Sequence, residues 1–169
     1  KGLVDVYNIG YIAKDSINLV TSTDNSKIPS TLMNSEIEIG DALKILNDSK
    51  STLILDNYYG SSSGRYCGDY LRSLGLDQFK VFTKLAEDRS PIVSSVIDNE
   101  EYYALLLSSQ VVNKKELKII SKLKNSEIDY RLFVIAGNNM ETARKFLKFF
   151  KSSKARKILL ASGLEVPNS

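Results

Sequence analysis

The chain contains no histidine, no tryptophan, one cysteine, two methionines and three prolines in 169 residues. The missing histidine excludes an imidazole general base, a Ser-His-Asp triad and any histidine metal ligand. A lone Cys67 excludes an internal disulfide and a cysteine-rich zinc site, and it suits a reducing cytoplasm. Apolar runs are short, such as LLL at 105–107, far below the roughly 20 residues of a membrane-spanning helix. The opening KGLVDVYN lacks the layout of a signal peptide. These absences predict a cytoplasmic chain with no membrane partner. Catalysis, if any, would have to rest on carboxylates, Lys, Tyr, Ser or Thr.

What is present is an ordinary globular mixture, 43% hydrophobic and 25% charged, in a length that suits one domain with a real core. The formal charge of +3 is unevenly placed. Residues 1–113 hold 10 basic and 15 acidic side chains, whereas 114–157 hold 13 basic and 4 acidic. Such a block reads either as a solvated helix face or as a surface for phosphates or an acidic partner. Its candidate contacts are Lys145, Lys148, Lys151, Lys154, Arg156 and Lys157.

Residues 3–13 and 17–23 predict two strands, joined as a hairpin through Lys14-Asp15-Ser16. Residues 24–35 read as loop. From residue 36 the pattern alternates. Helices are expected over 36–48, 65–74, 113–125 and 140–150, the last burying Ala143, Phe146, Leu147 and Phe150. Strands are expected at 52–55, 79–85, 102–107, 131–136 and 157–162, and 91–99 fits either state. Such alternation predicts one α/β domain over 1–169, a mainly parallel sheet flanked by helices. The expected core is 36–169, with an N-terminal β-hairpin extension over 1–35.

Ligands of open α/β sheets bind at the carboxyl ends of the strands. Four residue groups qualify here: 56–64 (DNYYGSSSG), 108–110 (SSQ), 137–139 (GNN) and 162–163 (SG). The turn Gly60-Ser61-Ser62-Ser63-Gly64 opens a helix, so it reads either as ordinary capping or as a phosphate cradle of N–H and hydroxyl donors. Asp56 is the one carboxylate in these groups, too few for a two-metal site. Cys67, without His or a second Cys nearby, reads as a small buried residue. Tyr58, Tyr59, Tyr102 and Tyr103 read as core cover or as stacking platforms for bases.

The succession TLIL, DNYYGSSSG, a helix ending in LRSLG, then FKVFTKL resembles the opening of RecJ-like DHH phosphoesterases. In that family the first strand ends in D-x-D-G-x-x-S, a later strand ends in Asp, and another ends in Asp-His-His. Here the corresponding positions are Asn57, Tyr59, Ser108, Gly137, Asn138 and Asn139. Each would-be metal ligand is replaced, while Gly60, Ser62 and Ser63 keep the small scaffold residues. The resemblance implies a non-catalytic branch of the family, similar to the archaeal RecJ-like proteins and the eukaryotic cell-division-control factor. It implies an inactive scaffold without metal or cofactor, associated with the GINS complex and the MCM helicase at the nucleoid, near single-stranded DNA.

Two other readings stay open at this level. One is a structural subunit of a tRNA-splicing endonuclease, for which TLIL would be a linker rather than a sheet strand. The other is a sugar-phosphate-binding α/β domain that uses Ser61, Ser62 and Ser63.

Overall fold

The computed structural model describes residues 4–33, 37–76, 81–82, 92–124, 128–135 and 139–167. The apolar run at 102–107 forms β5 (Tyr102–Leu107), and all of it but Tyr102 is buried. A run without alternation is what a strand covered on both faces requires. β5 is the centre of a five-stranded sheet ordered β4-β3-β5-β2-β6. Its other strands are β2 (Ile17–Ser22), β3 (Thr52–Ile54), β4 (Val81–Phe82) and β6 (Leu117–Lys122). β3 runs parallel to both β4 and β5. β2 runs antiparallel to both β5 and β6. The architecture is therefore α/β, as expected, but the sheet is mixed rather than mainly parallel. TLIL is a sheet strand between two parallel neighbours, which removes the linker role required of a splicing-endonuclease subunit.

The residues fall into two compact units, 16–125 and 1–15 with 126–169. In the first, α1 (Ile39–Asp48) buries Ile39, Ala42, Leu43 and Leu46, the stripe spacing of an amphipathic helix. α2 (Ser62–Ser73), α3 (Ile92–Ile97) and the short α4 (Ser108–Val111) complete it. Val20, Ile54, Val96, Ala104, Leu106, Val111 and Leu117 make one apolar cluster. β2 is buried along its whole length, so its polar side chains need internal partners. Thr21 Oγ1 donates to the Tyr102 carbonyl at 2.8 Å, and Asn18 Nδ2 donates to Ser108 Oγ at 2.9 Å.

In the second unit, β1 (Val4–Asp15) pairs antiparallel with β7 (Ile128–Ile135), with α5 (Met140–Phe150) and α6 (Ser153–Ala161) following. A Cβ on Gly10 would stand 2.2 Å from Leu147 Cδ1, so glycine there lets α5 approach β1. Lys14 and Glu165 exchange backbone hydrogen bonds of 2.7 and 2.9 Å.

Three expectations are corrected. The hairpin over 3–23 does not form, because only Ser16 separates β1 from β2, and the tightest common hairpin loops need two residues. The chain instead leaves one unit's sheet and enters the other's. Residues 113–125 contain a strand, β6, where a helix was expected. Asn113 takes a left-handed φ of 63°, and β2 supplies the ladder partners that local periodicity cannot reveal. Residues 157–161 continue helix α6, with Ser162 as its C-cap, rather than form a strand. Ser152 caps this helix by accepting the Ala155 N–H at 3.2 Å, and a short apolar run has no period that separates the two states. The strand expected at 79–85 and the segment at 91–99 fall partly outside the described residues; of them, Val81–Phe82 are strand and Ile92–Ile97 helix.

Candidate functional site

The parallel pairing of β3 and β5 places both carboxyl ends on one edge of the sheet. From the β3 end the chain enters a tight turn. Asn57 Oδ1 accepts the N–H groups of Tyr59 and Gly60 at 2.9 and 3.1 Å, an Asx turn. The Asn57 carbonyl accepts the Ser61 N–H at 3.0 Å. Ser61 is then the N-cap of α2, extended at φ −142° and ψ 151°, its Oγ accepting the Gly64 N–H. Asp56 braces both sides. One carboxylate oxygen accepts the Asn57 N–H at 2.9 Å, and the other accepts the Ser63 hydroxyl at 2.6 Å.

This leaves an inventory of donors. The Gly64 and Arg65 N–H groups are taken by Ser61 Oγ and the Ser61 carbonyl. The N–H groups of Ser62 and Ser63 open a 12-residue helix and have no intrahelical acceptor. They carry the positive end of the helix dipole. The Ser62 side chain is exposed beside them, and Arg65 adds a guanidinium one turn in. Tyr59, Gly60, Ser61, Ser62, Arg65 and Tyr66 line a concavity of about 310 Å³. The arrangement can hold an anion through backbone N–H groups, a hydroxyl and a cation.

The expected site residues are divided between the two units. Asn57 spends its side-chain oxygen on the turn, and Tyr59 is 89% exposed. Ser108 opens α4, its Oγ accepting from Asn18. Asn57, Tyr59 and Ser108 belong to the sheet unit, whereas Asn139 precedes α5 in the other unit. Gly137 and Asn138 lie outside the described residues. Among those described, no three His, Cys, Asp or Glu side chains could share a metal ion.

The basic candidates sit on α5, its C-cap and α6. Lys145 pairs with Glu141 at 2.8 Å, and Arg156 donates to the Pro167 carbonyl. Lys148, Lys151, Lys154 and Lys157 are exposed. Phe146, expected in the core, is 57% exposed, and α5 fully buries only Leu147. Arg65 and Tyr66 were not legible as site residues, because the helix was expected to begin at 65 rather than 62. The signal that locates its start is Ser61 followed three residues later by a glycine N–H to cap.

Cys67 lies behind the site, its thiol against the Leu105 carbonyl at 3.6 Å. Burial first, and the Asp56 charge second, push its pKa up from 9.0 to about 12. The folded protein therefore holds this proton more tightly than the unfolded chain. Its contribution to stability is complete below about pH 8.5 and is lost as pH rises toward about 12. The slope is on the order of 1.4 kcal/mol per pH unit. Denaturant midpoints of the wild type should fall through this window, and those of Cys67→Ala should fall less. A residual slope above pH 10 is expected in both, since burial also raises Tyr70 and Tyr103. Identical alkaline curves would refute this assignment.

A helix N-terminus with uncommitted N–H groups at the edge of a mixed α/β sheet belongs to the class of arrangements that can bind an anion. Comparison gives that class its family. The chain belongs to the bacterial extracellular solute-binding proteins, whose family model matches residues 2–165. No curated protein sequence matches it. Among solved structures, it resembles the substrate binding domain of a molybdenum ABC transporter from Clostridium difficile. The TM-score is 0.70 at 22% identity, covering 98% of this chain and 69% of that one. The periplasmic molybdate-binding protein of Azotobacter vinelandii gives 0.62 at 14%, covering 99% and 71%. A phosphate transporter substrate-binding protein from Clostridium perfringens gives 0.60 at 14%, covering 95% and 72%. At these identities the likeness establishes the fold.

Family membership overturns the RecJ-like DHH resemblance. With it fall the replication role, the GINS and MCM partners, the contact with single-stranded DNA and the cytoplasmic, nucleoid location, since this family is extracellular. The physical reason is plain. An apolar strand, a small polar turn and a helix recur wherever an α/β sheet opens a ligand site. A motif identified through replaced ligands does not distinguish between such sheets.

Proposed function

We propose that this chain is the solute-binding component of an anion uptake system, and that it takes a tetrahedral oxyanion at the N-terminus of α2. The observation that carries this reading is the pair of uncommitted N–H groups at Ser62 and Ser63, beside the Ser62 hydroxyl and Arg65. Fixed N–H dipoles suit an oxyanion because they need no reorganisation when the charge arrives. Support comes from structural relatives that are named for molybdate, tungstate and phosphate. In this reading the protein binds and releases its solute without turnover, and hands it to a membrane permease.

Calorimetric titration of the chain with molybdate, tungstate, phosphate and sulfate tests the proposal. One-site binding of at least one of them is expected, and no binding of any would refute it. A titration with glucose 6-phosphate belongs in the same set. Tighter binding of the phosphosugar would favour an organic phosphate, for which the Tyr59 and Tyr66 rings would provide the wall. Arg65→Gln should weaken binding about fivefold at low salt, a modest effect because the guanidinium is exposed. The difference should shrink at 0.5 M salt, where screening is strong.

A further inference from the structure

We propose that Tyr58, held by Gly68, Asp69 and Arg72 of α2, is a positioning residue that sets the direction of the Ser62 and Ser63 N–H groups; this rests on the oxyanion reading of that site. Gly64 and Gly68 lie four residues apart and so share one face of the helix. A Cβ on Gly64 would stand 2.4 Å from the Asn57 carbonyl oxygen, and one on Gly68 2.7 Å from Tyr58 Cδ2. The turn at 57–60 therefore lies directly on the bare helix face, its backbone at Gly64 and its ring one turn further on.

Polar contacts then pin the ring. The Tyr58 hydroxyl donates to Asp69 Oδ1 at 2.8 Å. Arg72 Nη1 donates to the same oxygen at 3.0 Å and to the Tyr58 hydroxyl at 3.5 Å. The guanidinium carbon stands 5.4 Å from the ring centroid. None of Tyr58, Gly68, Asp69 or Arg72 lines the concavity. Their route to it is the backbone. Tyr58 fixes the turn, the Asn57 carbonyl holds the Ser61 N–H, and Ser61 caps the helix that the Ser62 and Ser63 N–H groups open. An anion held by two fixed donors binds more weakly when the turn that aims them is loosened.

The test uses the 169-residue chain with Tyr58→Phe, Tyr58→Ala and Gly68→Ala, read in two independent ways. Amide exchange without solute should rise roughly tenfold at Ser61 and Gly64 in Tyr58→Ala, with Leu105 and Leu106 unchanged. Molybdate affinity should fall roughly tenfold in the same variant, with Tyr58→Phe intermediate because it keeps the ring and loses the hydroxyl. Gly68→Ala separates positioning from folding. Alanine favours the helix over glycine, yet its Cβ pushes the ring away, so weaker molybdate binding without loss of stability is expected. Wild-type exchange at Ser61 and Gly64 in both Tyr58→Ala and Gly68→Ala would overturn the inference. A wild type that binds no oxyanion overturns the function proposed for the site, and the exchange rates still decide whether the clamp exists.

Discussion

Ser62→Pro is expected to weaken oxyanion binding by about 10- to 100-fold, while the melting temperature stays near that of the wild type. One hydrogen bond to a charged group contributes about 1.5–3 kcal/mol, and about 1.4 kcal/mol is a factor of ten. Proline at the first position of a helix removes an N–H that has no intrahelical acceptor in any case, and its fixed φ suits the helix. The residue before a proline must be extended, and Ser61 already is, at φ −142° and ψ 151°. The substitution therefore deletes one donor and one hydroxyl without asking the backbone to move. Ser62→Ala, which deletes the hydroxyl alone, should fall between the two. Calorimetry with molybdate and phosphate, paired with a thermal melt, measures both quantities. Undiminished affinity in Ser62→Pro would take Ser62 out of the site.

Gly64→Ala is expected to abolish binding and to destabilise the fold by about 1–3 kcal/mol, the usual penalty for overpacking. The new Cβ would meet Asn57 O at 2.4 Å, Asn57 C at 2.6 Å and Asp56 O at 2.6 Å. These are backbone atoms, which cannot rotate aside as a side chain can. Either the 56–61 turn lifts or the first turn of α2 unwinds, and both scatter the donors. At about 2–4 °C per kcal/mol for a chain of this size, the melting temperature should drop by several degrees. Gly60→Ala is the control. The nearest neighbours of its Cβ would be Asn57 side-chain atoms, the closest at 3.1 Å, so a much smaller loss is expected. Equal stability of Gly64→Ala and wild type would mean that the turn does not rest on the helix.

The individual elements differ in how readable they were. β5 coincides with the apolar run at 102–107, because a strand covered on both faces needs nothing but apolar residues. The start of α2 was placed three residues late, because a row of serines satisfies loop chemistry and cap chemistry equally well. That displacement kept Ser62 and Ser63 in a turn, when their value to an anion lies in being the first two helical residues. β6 was hidden for a different reason. Its Leu117 and Ile120, with Leu123 just beyond, fit one helix face as well as a bulged strand, and β2 is about a hundred residues away in sequence.

Composition alone settled what the chemistry cannot be. Without histidine, and with one buried thiol, there is no imidazole catalysis, no histidine metal ligand and no internal disulfide. Local pattern settled that helices and apolar strands alternate in an α/β arrangement. It also placed the glycine- and serine-rich turn at the end of a strand, where sheets of this kind open their sites. Only the tertiary structure decided the rest. It divided strands β1 and β2 between two sheets, made the large sheet mixed, and turned three serines into a cap and two free donors. Those outcomes depend on which distant segment supplies each backbone hydrogen-bond partner. A window of neighbouring residues holds no record of that choice.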